Sequence, residues 1–130
     1  MNLLLDTCTF LWVAQGSSEL SARAREWFAD PANEVFLSVV SVWEIGVKNA
    51  AGRMPLPQPP ERYVPALRER HGIESLALDE AAVLQVTKLP ARHRDPFDRL
   101  LYAQARENDC RLLTIDRTLA VFGARVLRPK

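Results

Sequence analysis

The sequence predicts an α/β fold in which helices cover both faces of a parallel sheet. Its apolar runs are short and continuous, which is typical of strands buried on both faces. Helical stretches lie between these runs, and such strand–helix alternation favours a parallel sheet. The chain has 130 residues, of which 48% are hydrophobic and 25% are charged, and domains most often have roughly 100–150 residues. We therefore expect one domain over residues 1–130.

Five apolar runs are predicted strands, and four of them end directly before a polar residue. They span residues 2–5, 35–37, 73–78, 112–115 and 125–127. The residues that follow the first four strands are Asp6, Ser38, Asp79 and Asp116. Turn and cap residues of this kind are common where a buried strand leaves a sheet.

Five helices are predicted between the strands, at residues 22–29, 40–51, 61–70, 80–88 and 96–108. Ser21 is a suitable N-cap for the first helix. Gly52 and Gly72 stand where the second and third helices end. Pro90 ends the fourth helix, and Pro96 occupies the favoured first position of the fifth. The residues after the first strand are also helix-like.

The charge, the cysteines and the N-terminal residues exclude several classes of protein. Seventeen Lys and Arg against 16 Asp and Glu give a net charge of +1, which argues against binding to nucleic acid by bulk charge alone. Cys8 and Cys110 are too few and too far apart for a disulfide framework or a metal knuckle. The first apolar run stops at Asp6 after three leucines, too early for a signal peptide or a membrane span. We expect a cytoplasmic protein that does not contact membranes.

Two acids stand where a parallel sheet binds its ligands. Asp6 follows the first predicted strand and Asp116 follows the fourth. In open parallel sheets the ligand crevice lies beyond the carboxyl ends of the strands, so both carboxylates are candidates for a functional site. Each of them could instead be a helix N-cap, for which Asp is a common residue.

Two further acids lie on predicted helices. Glu44 is flanked by apolar residues and could form a capping box with Ser41. If the helix begins near Ser38 instead, the Glu44 carboxylate does not bind the backbone of a cap residue and is available for a functional site. Asp98 is the third residue of a helix that Asp95 would cap, and an acid there also suits the helix dipole. We interpret Asp95 mainly as a cap that could also support the site.

A cluster of these four acids would favour a hard divalent cation. Two carboxylates about 4 Å apart repel by about 4 kcal/mol at an effective dielectric of roughly 20, and a cation removes that repulsion. Oxygen ligands without Cys or His favour Mg²⁺ or Mn²⁺ over zinc. A metal held by acids at the edge of an α/β sheet is suited to the hydrolysis of phosphodiester bonds.

Four motifs together carry a resemblance to a known family. They are LLLDT at residues 3–7, SVWEI at 41–45, DPFDRLL at 95–101 and LLTID at 112–116. In this order and in these contexts they resemble a PIN domain of the VapC type, the toxin ribonuclease of bacterial toxin–antitoxin pairs. The resemblance extends from Asn2 to about Leu127, nearly the whole chain.

The resemblance implies a Mg²⁺-dependent endoribonuclease with a four- or five-stranded parallel sheet, with Mn²⁺ as a possible replacement. It places the catalytic acids at Asp6, Glu44, Asp98 and Asp116. Of these, Asp6, Asp98 and Asp116 are the expected metal ligands. Thr114 matches a small hydroxyl residue of the family and is expected to support the site.

Partners are also implied by the resemblance alone. They are an RNA substrate, a cognate antitoxin protein that inserts a segment into the acidic groove, and a second copy of the chain in a homodimer. Three arginines near the acids, Arg94, Arg99 and Arg117, are candidates for contacts with RNA phosphates, because Arg can bind phosphate with two parallel hydrogen bonds. Each of them could equally be a solvated surface residue paired with a neighbouring acid.

Two other functions have to be weighed. Phosphatases of the haloacid dehalogenase type place one Asp after the first strand and a second Asp two residues later, but here that second position is Cys8. The other alternative is a catalytically inactive PIN-like module that acts by binding a partner. The presence of all four acids argues against it, since a pure binding surface does not need mutually repelling carboxylates.

Overall fold

A computed structural model describes residues 1–90, 95–114, 116–123 and 125–127. It contains a five-stranded sheet in the order β3-β2-β1-β4-β5, and each pair of neighbouring strands is parallel. The strands are β1 (Asn2–Leu5), β2 (Glu34–Ser38), β3 (Glu74–Leu76), β4 (Arg111–Leu113) and β5 (Val126–Leu127). The predicted α/β class and the parallel sheet are confirmed.

Six α-helices connect the strands, and two 3-10 helices complete the described elements. The α-helices are α1 (Thr7–Gln15), α2 (Ala22–Ala29), α3 (Val39–Ala50), α4 (Pro60–His71), α5 (Glu80–Gln85) and α6 (Pro96–Glu107). The 3-10 helices are Val86–Lys88 and Arg117–Phe122. In the described parts of the chain, no helix is both long and apolar enough to cross a membrane.

Alternate leucines of the central strand β1 enter two different hydrophobic clusters. Leu3 and Leu5 pack with residues that include Phe10 of α1 and Ile45 of α3. Leu4 faces the other side of the sheet and packs in a cluster with Leu101 of α6. All three leucines are fully buried. The continuous apolar run is thus explained by a strand that has helices on both faces, as the sequence predicts.

The third strand is shorter than the predicted 73–78, because its first residue belongs to the end of α4. Gly72 adopts a left-handed conformation with φ of 64°. The N–H of Ile73 then donates to the carbonyl of Arg68 at 2.9 Å. This is the Schellman closure of a helix, which takes Ile73 out of the predicted strand. The residues that pair with β2 are Glu74–Leu76.

The α-helix predicted at 80–88 is shorter in the structure, because its last three residues, Val86–Lys88, form a 3-10 helix. The guanidinium of Arg99 donates to the carbonyl of Val86 at 2.8 Å and to that of Pro90 at 2.6 Å. These contacts satisfy carbonyl groups at and just after the end of the helix. The predicted strand 112–115 is found at Arg111–Leu113, and Ile115 lies outside the described residues.

Candidate active site

Asp6 lies at the carboxyl end of β1 and begins α1. Its backbone N–H donates to the carbonyl of Leu113 at 3.1 Å, and its Oδ1 accepts the N–H of Thr9 at 2.8 Å. Its Oδ2 accepts a hydrogen bond from the hydroxyl of Thr114. Only 5% of Asp6 is exposed. Asp6 is therefore both a helix cap and a carboxylate fixed at the edge of the sheet.

Burial raises the pKa of the Asp6 carboxyl above its ordinary value of 3.8. The hydrogen bonds from Thr114 and Thr9 oppose this effect, and the charge of Asp116 adds to it. A buried carboxylate that is repelled by a second one gains from a nearby cation.

Thr114 and Asp116 follow β4, the neighbour of β1. The buried hydroxyl of Thr114 accepts the N–H of Asp116 at 3.0 Å while donating to Asp6. One oxygen of Asp116 accepts the N–H and the hydroxyl of Thr118, at 2.9 and 2.7 Å. Asp116 thus holds the turn into the 3-10 helix as a cap, and Thr114 links the two acids.

Glu44 lies in the second turn of α3, because the helix begins at Val39 and its N-cap is Ser38. The capping box with Ser41 is therefore wrong, and the alternative of an earlier helix start is confirmed. The carboxylate is nonetheless engaged elsewhere. Its Oε1 accepts the hydroxyl of Thr7 at 2.6 Å, and its Oε2 accepts the ammonium of Lys48 at 2.5 Å.

Asp95 caps α6, as predicted. Its Oδ1 accepts the N–H groups of Phe97 and Asp98 at 2.9 and 3.1 Å. Asp98 is the third residue of the helix and is partly buried. The ring of Phe97 packs edge-to-face on Trp43, with 4.9 Å between the ring centres. This contact fixes the start of α6 against α3, which carries Glu44.

The four predicted acids line one cavity of about 340 Å³, which we call the carboxylate cavity. Its lining consists of Asp6, Thr7, Cys8, Glu44, Lys48, Asp95, Asp98 and Asp116. The structure therefore brings together acids that are more than a hundred positions apart in the sequence. Sequence reasoning missed the contributions of Thr7 and Lys48, although the spacing of Lys48 from Glu44 is that of a helical ion pair.

The donor chemistry of the carboxylate cavity fits a hard divalent cation, because its acids supply oxygen ligands. The acids are not already gathered around one point, however. Among the residues that the structure describes, no three Asp, Glu, His or Cys side chains are grouped so that they could hold a metal ion as they stand. Two carboxylates brought close together repel each other, and a bound cation would offset that repulsion.

The pKa of the Cys8 thiol is affected by the negative charge of the carboxylate cavity. Cys8 is exposed as a whole, but the pKa of its thiol is raised to about 11, first by partial removal of the thiol from water and then by the charges of Asp6 and Glu44. The nearby ammonium of Lys48 partly opposes this shift, and Asp98 adds to it. The thiol is therefore protonated at neutral pH and is a poor nucleophile.

The three arginines predicted to contact RNA phosphates differ in what the structure shows of them. Arg94 lies outside the described residues, and Arg117 is the first residue of the second 3-10 helix. The guanidinium of Arg99 binds carbonyl groups before α6. The structure thus gives Arg99 a role in holding the backbone, and contacts of the three arginines with RNA remain predictions.

Comparison with known proteins supports the fold and the motifs. The family model described as PIN domain matches residues 3–124. The chain is similar to Ribonuclease VapC16 of Mycobacterium tuberculosis, with 38% identity over 52 residues. That stretch covers 40% of this chain but only 37% of the relative.

Solved structures of similar fold cover nearly the whole chain. One is VapBC2 from Rickettsia felis bound to a DNA fragment from their promoter, with a TM-score of 0.72, 12% identity, and coverage of 99% of this chain and 98% of that one. Another is a toxin–antitoxin complex from Klebsiella pneumoniae, with a TM-score of 0.67, 17% identity and 98% coverage of both chains. At these identities the likeness concerns the fold. The predicted resemblance to PIN domains of the VapC type is confirmed.

Proposed function

Because the chain belongs to the PIN domain family, we propose that it is a metal-dependent endoribonuclease and the toxin of a type II toxin–antitoxin pair. The observation that carries this proposal is the carboxylate cavity, to which β1, α3, α6 and the segment after β4 each bring an acid. A surface that only binds a partner has no need of such a charge cluster, and a nuclease that uses a divalent cation does.

Asp6, Asp98 and Asp116 would hold the cation, as the resemblance to the PIN family implies, while Glu44 binds Thr7 and Lys48. When bound, a divalent cation supplies positive charge that activates water and offsets the charge of the phosphodiester. Mg²⁺ is the ion we propose, with Mn²⁺ as a substitute, because both prefer oxygen ligands. The chain's own contribution is to keep these carboxylates close together in a partly buried cavity.

Asp6 and Thr114 would act together in this scheme. The Thr114 hydroxyl stabilises the ionised form of Asp6, whose pKa burial raises. The Thr114 hydroxyl donates a hydrogen bond to Oδ2 of Asp6, and its oxygen accepts a hydrogen bond from the N–H of Asp116. Thr114 is therefore proposed as a positioning residue that orients two metal ligands.

The partners follow from the same proposal. We propose an RNA substrate in the cytoplasm, supported by the name ribonuclease of the Mycobacterium tuberculosis relative. We also propose a cognate antitoxin, supported by the toxin–antitoxin complexes among the proteins of similar fold. A homodimer completes the proposed assembly.

The test is cleavage of a panel of structured and single-stranded RNAs by the purified protein. Samples contain EDTA, Mg²⁺ or Mn²⁺, and Asp98→Asn serves as the inactive comparison because Asn keeps the shape but loses the charge. We expect cleavage with either metal and none with EDTA. Cleavage by Asp98→Asn at the wild-type rate would show that Asp98 is not a metal ligand of the active site. A folded wild-type protein that cleaves no RNA with any metal would instead favour the inactive partner-binding module.

A further inference from the structure

The carboxylate cavity presents an electrostatic problem for the proposed substrate. Five carboxylates line it, and the negative charge that attracts a cation also repels the phosphates of RNA. Among the described residues that line the cavity, Lys48 is the single cation. The arginine nearest in sequence to Asp98 is Arg99, and its guanidinium binds backbone carbonyls.

Lys48 is held in a defined place by Glu44. The two residues are one helical turn apart on α3, and the ammonium nitrogen lies 2.5 Å from Oε2 of Glu44. The other oxygen of Glu44 accepts the hydroxyl of Thr7 at 2.6 Å. Glu44 is thereby anchored to α1 while it orients the lysine. A long, flexible side chain is fixed in this way by a buried carboxylate that is 8% exposed.

The ammonium still has bonding capacity directed to solvent. A Lys ammonium has three N–H donors, and in the part of the chain that the structure describes, the hydrogen bond of Lys48 goes to Glu44 alone. The side chain is 31% exposed. Lys48 can therefore keep its contact with Glu44 and donate to a second oxygen in the same cavity.

We propose that Lys48 binds a non-bridging phosphate oxygen of the RNA in the carboxylate cavity, with Glu44 as the residue that positions it. This inference rests on the proposed ribonuclease function and adds a substrate-binding residue to it. Lys is a common ligand of phosphate as a compact point charge. The arrangement separates two tasks: the aspartates attract the metal, and the Glu44–Lys48 pair presents one positive charge to the substrate.

The experiment measures how RNA affinity depends on salt. A fluorescein-labelled single-stranded RNA that the wild-type protein cleaves is titrated with protein in EDTA and in Ca²⁺, over a series of KCl concentrations, and gels confirm that the RNA stays intact. Each phosphate contact with single-stranded nucleic acid contributes about −0.7 to the slope of log affinity against log salt. We expect Lys48→Gln to reduce the magnitude of that slope by about 0.7 and to weaken binding at low salt by about tenfold.

Two controls separate a specific contact from a general loss of charge. Lys88→Gln removes the same charge from an exposed residue outside the cavity, and we expect it to keep the wild-type slope. Lys48→Arg keeps the charge and should keep most of the slope. Binding of Mn²⁺, followed by the shift in melting temperature, should not weaken in Lys48→Gln, because the proposed metal ligands are untouched.

The outcomes distinguish this inference from the proposed function. If the wild type binds and cleaves RNA but Lys48→Gln keeps its slope and affinity, Lys48 does not bind phosphate and the ribonuclease assignment stands. Equal losses in Lys48→Gln and Lys88→Gln would also overturn the inference. If Lys48→Gln has a lower melting temperature than the wild type, the double variant Glu44→Gln/Lys48→Gln serves as a second test, because it leaves no unpaired charge at Glu44. The reduced slope of log affinity against log salt should persist in the double variant. A wild-type protein that neither binds nor cleaves RNA would overturn both proposals.

Discussion

The hydroxyl of Thr114 donates a hydrogen bond to Oδ2 of Asp6, although the two residues are 108 positions apart in the sequence. The hydroxyl oxygen of Thr114 in turn accepts the N–H of Asp116. A single small side chain thus joins the ends of β1 and β4 and sets the distance between two proposed metal ligands. Four predictions start from this and the neighbouring contacts.

Replacing Thr114 by Val should weaken metal binding, most strongly at low pH. The hydrogen bond from Thr114 lowers the pKa of Asp6, so its loss raises that pKa further and makes the proton a stronger competitor of the metal. Loss of a residue that supports a metal ligand typically costs about 10- to 100-fold in affinity. Calorimetric titration with Mn²⁺ at pH 6 and pH 8 measures this. Thr87→Val, which removes an exposed hydroxyl elsewhere, should change nothing. An equal loss at both pH values would contradict the explanation by pKa.

Asp6 should make the metal-free protein less stable as the pH rises. Because the pKa of Asp6 is raised in the folded state, the folded chain holds a proton there that the unfolded chain has already released. The free energy of unfolding then falls as the pH increases from 3.8 through the raised pKa. Asp6→Asn should lack this contribution and should still cap α1, since Asn caps about as well as Asp.

Melting curves of the wild type and Asp6→Asn in EDTA, over a pH series, measure the difference. Millimolar Mg²⁺ should raise the melting temperature of the wild type, and more at high pH, because the cation binds the ionised folded state. Monovalent salt at matched ionic strength should do less. A wild-type curve that matches Asp6→Asn at every pH would mean that Asp6 does not titrate as described.

Cys8 should react faster with alkylating reagents when a divalent cation occupies the carboxylate cavity. The acids around the thiol contribute to its pKa of about 11, and a cation that offsets their charge lowers this pKa. A fall of one pKa unit makes the thiolate about tenfold more abundant at pH 8. Mass spectrometry of iodoacetamide-treated samples, with and without Mg²⁺, measures the rate. Cys110 is the internal control, because it is buried and its pKa is raised by burial and by Asp109. An unchanged or slower rate at Cys8 would count against a cation in this cavity.

Asp95 and Asp98 should respond differently to the same substitution. Asp95 accepts two backbone N–H groups of α6, so Asp95→Asn should keep stability and most of the activity. Asp95→Ala should lose about 1 kcal/mol of stability as the cap is removed. Asp98→Asn should melt normally but cleave RNA at least about 100-fold more slowly. If Asp95→Asn is as inactive as Asp98→Asn while melting normally, Asp95 is a metal ligand as well.

Local sequence rules predicted the elements that are defined by local contacts. The strand 2–5 and the helix 22–29 have the predicted bounds, because a buried leucine run and a Ser cap with a following amphipathic stretch are complete signals in themselves. Asp95 was identified as a cap for the same reason. The positions of Asp6 and Asp116 after strands, together with the resemblance to the PIN family, predicted that the four acids would line one cavity.

What could not be predicted depends on contacts between distant residues. The 3-10 turn after α5 depends on Arg99, thirteen positions after Val86. The state of Glu44 depends on Thr7, thirty-seven positions earlier. Nothing in the segments around Arg99 and Thr7 indicates these partners. Only the packing of α1 and α6 against their neighbours makes them partners, and no periodicity in the sequence records that.

The central position of β1 in the sheet has a consequence for the timing of synthesis. Asp6 is made before its neighbour strand β4, and the acid that follows β4, Asp116, comes 110 residues after Asp6 in the chain. At about 5–20 residues per second, a ribosome needs roughly 5–20 s to reach them. During that interval β1 has no partner on its β4 side, and the carboxylate cavity lacks one of its walls. A polypeptide interrupted before Asp116 therefore carries most of the fold's residues but no complete cavity.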